Sequence, residues 1–153
     1  MNLPEYIGKE HIRIFDDAVE QSDLLHQLGA ALIETGAVTT AYIEAVCERE
    51  RSFPTGLYTG LVNVAIPHAD PSHVLKPGIA LGVVKNGVNF ANMADLQMEI
   101  PVHVVFLLAP GKSEQHLTIL ESIMNLIQDQ SLMAQIKEAE DAEAVINVLQ
   151  QMV

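Results

Sequence analysis

The chain has 153 residues, 49% of them apolar, with twenty acidic against eight basic residues and a formal charge of −12. That is enough apolar material to bury a core rather than stay disordered, and the acidity argues against a nucleic-acid ligand or an anionic membrane surface, both of which need basic patches. No apolar run nears the roughly 18 residues of a bilayer span, Glu5 and Glu10 stand where a secretory leader is apolar, and the single Cys47 excludes an internal disulfide and fits a reducing cytoplasm.

In chain order, His11 to Phe15 alternates and reads as a short strand. Ser22 is placed to cap a helix carrying Leu24, Leu25, Leu28, Ala31 and Leu32 at helical spacing, and Gly36 stops it. Thr39 or Thr40 opens a second helix with Tyr42, Ile43, Val46 and Cys47 on one face, ended by Pro54. Three apolar runs follow: Val64 to Ile66, Gly78 to Val84 and Val102 to Ala109. The last two are nearly uninterrupted, as expected of strands covered on both faces, and Gly87 reads as a turn before Val88 to Phe90. Ser113 caps a third helix with the stripe Leu117, Leu120, Ile123 or Met124, and Ile127. A helix from about Leu132 to Glu138 follows, and Asp141 caps the last, with Ala144, Val145, Val148 and Leu149 inward. This alternation predicts one α/β domain over residues 1–153, a mixed, mostly parallel sheet flanked by helices on both sides.

Three residues could carry chemistry. His68 follows Pro67 at the carboxyl end of a short strand, where α/β sheets bind ligands; placement alone favours the plainer reading of a loop histidine beside a proline. His116 is the third residue of its helix if Ser113 is the cap, among free N–H groups that attract anions; by itself it reads equally as a half-buried histidine bonded to backbone. Arg49 continues the apolar stripe of Tyr42 and Val46, so it needs an anion or a crevice, or it pairs with Glu48 or Glu50. The remaining histidines, including His73 and His103, lack any metal-ligand spacing, and no nucleotide loop or nucleophile elbow is present. No metal and no cofactor is expected, so any phosphate must come from another protein.

Together the segments resemble a known family. Arg49-Glu50, Pro54-Thr55, Leu57 and Val64-Ala65-Ile66-Pro67-His68 match the RExxxPTxL…AIPH pattern of IIA domains of the mannitol and fructose class in the bacterial sugar phosphotransferase system, and His116-Leu117 with Leu120 is similar to its HLxxL segment. Phe53-Pro54-Thr55-Gly56-Leu57 is most like the galactitol-type branch. The resemblance implies a cytoplasmic phosphotransferase component in which His68 accepts the phosphoryl group while His116 and Arg49 contact it. It implies a histidine phosphocarrier protein as donor and a cysteine of a IIB component, and through it the IIC permease, as acceptor. A regulatory IIA-like protein of nitrogen or potassium control is the alternative it allows. Phe53, Leu57 and Ile66, beside the motif, are candidates for an apolar docking rim.

Overall fold

The computed structural model describes residues 3–111 and 113–151. Five strands form one mixed sheet: β1 (Ile12–Phe15), β2 (Gly56–Leu57), β3 (Val64–Ala65), β4 (Gly78–Asn92) and β5 (Asp95–Ala109). The helices are α1 (Gln21–Glu34), α2 (Thr40–Ser52), α3 (Ser113–Gln128), α4 (Gln130–Glu138) and α5 (Ala142–Gln150). β1 runs parallel to β4, β2 parallel to β4 and β3 parallel to β5. The longest pairing, β4 with β5, is an antiparallel hairpin, and β2 with β3 is antiparallel too.

Strand periodicity sends alternate side chains to opposite faces, and the sheet uses both. Ile79, Leu81 and Val83 of β4 with Val104, Phe106 and Leu108 of β5 pack under α3, α4 and α5. Ala80 and Val84 with Val105, Leu107 and Ala109 pack under α1 and α2. Helices therefore cover both faces, which is why these strands read as unbroken apolar runs.

Several local expectations change. Leu24 N–H already bonds Glu20 C=O, so α1 starts before Ser22, with Glu20 at the cap position and no capping side chain. Gly36 closes it at φ 77°, as expected. Gly87 is not a turn. Val88 rejoins the ladder opposite Val102, and the irregularity from Val83 to Val88 is a bulge within β4, where Gly87 takes φ 75°. The reversal lies at Met93 and Ala94, with Asn92 Oδ1 accepting the Ala94 N–H at 2.8 Å. On α3 the buried stripe is Ile119, Ile123, Leu126 and Ile127, while Leu117 is 60% exposed. Capping of α3 by Ser113 falls on a side chain outside the described residues. Asp129 and Asp141 cap α4 and α5 by accepting the Leu132 and Ala144 N–H groups.

Candidate active site

The sheet brings the three predicted residues to one place. β3 and β5 run parallel, so their carboxyl ends point the same way, and beyond them lies a cleft of about 240 Å³ lined by His68, Arg49, His116 and the Pro110–Gly111 segment after β5. Arg49 arrives from α2 on one face of the sheet and His116 from α3 on the other, with His68 between them at the sheet end. The His68 and His116 rings have centroids 5.7 Å apart at a 51° tilt.

His68 is half-buried, and its Nδ1 lies 2.9 Å from the Ile66 carbonyl oxygen. A carbonyl only accepts, so Nδ1 is the N–H donor, and in the neutral form of the ring the lone pair is on Nε2. His116, the fourth residue of α3, is half-buried with a buried Nδ1 that has no hydrogen-bond partner. Burial, reinforced by nearby His68, pushes its imidazole down from 6.5, which favours the uncharged ring. Arg49 stacks its guanidinium over Phe53, 5.1 Å from the ring centroid, and its buried Nε has no hydrogen-bond partner. Among the described residues no carboxylate forms an ion pair with it. Arg49 also lines a second cleft of about 370 Å³, with Phe53, Ser52, Ser72 and His73 around it.

Glu50 does not neutralise Arg49. It turns inward, 5% exposed, and accepts the Thr55 N–H and hydroxyl, both at 2.8 Å. Burial pushes its carboxyl from 4.5 up to about 7, against the pull of the Thr55 bonds and the Arg49 charge. Thr55 C=O in turn accepts the Ile66 N–H at 3.4 Å, so the Pro54–Thr55 turn is tied to the segment leading into His68. Gly56 follows for a steric reason: a Cβ there would stand 2.5 Å from the Ala91 carbonyl oxygen, where β2 meets β4. Sequence reading placed Tyr42 in the core but missed its hydroxyl, which accepts the Ala69 N–H and donates to the Leu108 carbonyl. No periodicity signals such a bond.

The other predicted groups lie elsewhere. His103 sits on β5 beside the Gly87 bulge and His73 is exposed. His11 is buried against Thr35 and Tyr6, and His26 pairs with Glu44 on the surface. No group of three His, Cys, Asp or Glu among the described residues could hold a metal. Cys47 is half-buried, at the edge of α2's packed face rather than in the core, and burial raises its thiol pKa. Ile66 is core and Leu57 half-buried; of the apolar rim candidates, Phe53 is the exposed one, at 63%.

Residues 5–152 match the family model described as phosphoenolpyruvate-dependent sugar phosphotransferase system, EIIA 2. The chain is 30% identical over 152 residues to the mannitol-specific phosphotransferase enzyme IIA component of Staphylococcus aureus, covering 97% of this chain and 98% of that protein. It is 31% identical over 155 residues to the fructose-specific EIIABC component of Bacillus subtilis, covering 99% of this chain but 23% of that longer protein. In fold it is similar to the IIA chain in a complex of mannitol enzyme IIA with phosphorylated enzyme IIB from Escherichia coli, at a TM-score of 0.76, 24% identity and 94% and 96% coverage of the two chains.

Proposed function

The chain belongs to the EIIA 2 family of the phosphoenolpyruvate-dependent sugar phosphotransferase system, and from that premise we propose that it is a phosphocarrier whose phosphoryl group travels on His68. The donor is a histidine phosphocarrier protein and the acceptor a IIB component, the kind of partner named for the Escherichia coli relative. The carrier works in the cytoplasm; among the described residues no helix is long and apolar enough to cross a membrane. Relatives named for mannitol and fructose support the class, and the Phe53–Leu57 run makes the galactitol-type branch the finer reading.

The observation that carries the assignment is the Nδ1–H bond to Ile66, which leaves Nε2 as the nucleophile. Nε2 attacks phosphorus as the donor's N–P bond breaks; the electron pair of that bond stays on the donor nitrogen, so a donor ring carrying N–H on its other nitrogen leaves as neutral imidazole and no further proton moves. Positive charge growing on the His68 ring is stabilised by the Ile66 carbonyl dipole. The transferred group brings nearly two negative charges to a chain already at −12. The Arg49 guanidinium, not engaged by Glu50, offsets them from one side of the cleft, and from the other the α3 start and an N–H of the uncharged His116 ring donate to the group. Because Arg49 and His116 stand on opposite faces of the sheet, they hold the group in line without covalent chemistry of their own. Cys47, with its raised pKa, takes no part.

The test is incubation with phosphoenolpyruvate, enzyme I and the histidine phosphocarrier, followed by mass spectrometry. One acid-labile phosphate is expected on the wild type and on His73→Ala and His103→Ala, and none on His68→Ala. Retained phosphate on His68→Ala would reject the assignment.

A further inference from the structure

β3 is recorded over only two residues, but its register does not stop there. Val64 stands opposite Val104 and Ala65 opposite Val105; the same register continued sets His68 opposite Leu108. In a parallel ladder a residue bonds the two neighbours of its opposite number, donating to the one before and accepting from the one after. Leu108 does the first directly: its N–H donates to Pro67 C=O at 3.0 Å. The second rung is interrupted. Leu108 C=O accepts not from Ala69 N–H but from the Tyr42 hydroxyl, and that hydroxyl accepts the Ala69 N–H at 3.1 Å.

We infer that Tyr42 is a positioning residue whose hydroxyl is an inserted rung of the β3–β5 ladder, holding the strand apart at His68 and aiming its ring into the cleft. The inference rests on the phosphocarrier reading for its kinetic consequence alone. Both flanks of His68 are fixed to one residue, Leu108, the first directly and the second through an oxygen atom's width. This difference in spacing turns the chain out of the sheet at the site. Tyr42 is fully buried, so water does not compete for its two bonds, and burial raises the pKa of its phenol and keeps the proton that Leu108 accepts. It also lies on the same stripe of α2 as Arg49, two turns earlier, so one helix sets both the angle of the acceptor loop and the place of the cation. Without the hydroxyl, Ala69 N–H and Leu108 C=O either close on each other, rotating His68 toward the sheet, or remain buried and unpaired.

The test is Tyr42→Phe in the full chain, which keeps the packed ring and removes one oxygen. Transfer from the phosphorylated histidine phosphocarrier, measured by rapid quench at saturating donor, should slow by roughly 10- to 100-fold, while the end point stays at one phosphate per chain. In the unphosphorylated protein, nitrogen-15 shifts of the His68 ring should show a single Nδ1–H tautomer in the wild type and a mixture in Tyr42→Phe. Val145→Ala, in the core on the far side of the sheet, controls for lost stability and should change neither readout. A Tyr42→Phe protein with the wild-type rate and the wild-type tautomer overturns the inference, as does Val145→Ala producing the same two changes. Should Tyr42→Phe fail to fold, amide exchange in the wild type decides: protection of the Ala69 N–H supports the inserted rung, and exchange at open-loop rates overturns it. If the wild type takes no phosphate, the phosphocarrier reading falls, and the tautomer and exchange data still decide the role of Tyr42.

Discussion

Glu50 makes the stability of this fold depend on pH in an unusual direction. Its carboxyl is 5% exposed and ionises near 7 instead of 4.5. A group whose acid form is favoured by folding binds more protons folded than unfolded, so stability falls as pH rises between the two values. The full effect, set by the difference between 4.5 and about 7, is about 3 kcal/mol. Stabilisation is complete below about pH 4.5 as far as this group is concerned, shrinks through pH 5 to 7, and is gone above 7. Glu50→Gln removes the titration while keeping a carbonyl oxygen for Thr55. Urea unfolding of both proteins at pH 5 and pH 8 isolates the residue, because every other titration is shared. The wild type should lose about 2–3 kcal/mol relative to Glu50→Gln over that range, most of the full effect. A difference that is flat, or that grows in favour of the wild type with pH, would mean that the two Thr55 bonds and Arg49 outweigh burial and that the carboxyl is ionised throughout.

Further outcomes follow from the same geometry. Arg49→Ala and His116→Ala should each slow transfer by roughly 10²-fold or more yet still reach one phosphate per chain in an end-point assay; a wild-type rate for Arg49→Ala would make Arg49 a helix-end charge and no more. Leu117→Gln should change unfolding free energy by less than about 0.5 kcal/mol, because the side chain is in solvent, whereas Ile123→Ala should cost about 2–5 kcal/mol; comparable losses from both, in urea titrations, would contradict the observed rotation of α3. The transfer rate should fall only modestly with potassium chloride, since screening acts over about 8 Å at physiological ionic strength while Phe53 offers an apolar contact beside Arg49; a collapse over several decades would point to long-range charge steering.

Much of this architecture was legible because burial on both faces writes itself into β4 and β5 as continuous apolar runs, and because Asp141 sits where a cap belongs; the Asp129 cap that starts α4 at Gln130 was not read. That His68, His116 and Arg49 share one cleft was legible to the extent that it depends on strand and helix ends: His68 after Pro67, His116 in the first turns of α3, and Arg49 on the stripe of α2. What escaped depends on partners distant in sequence. The stripe of α3 is rotated because Ile119 and Leu126 face the sheet, and periodicity alone accommodates either Leu117 or Ile119. Gly87 has the composition of a turn, and only the pairing of Val88 with Val102 makes it a bulge. Glu50 looks like an ion partner for its neighbour Arg49 until the chain folds Thr55 back onto it. Tyr42 looks like core, and is, but its function resides in one oxygen whose partners lie 27 and 66 residues away.

The central claim is that Nε2 of His68 is the atom that takes the phosphoryl group. Phosphorylating chain labelled with nitrogen-15 in its histidines and recording phosphorus and nitrogen resonances tests it directly. The account predicts a phosphorus-coupled Nε2 on His68, with Nδ1 of the same ring uncoupled and facing Ile66. Coupling at Nδ1 of His68, at either nitrogen of His116, or at no histidine would contradict it.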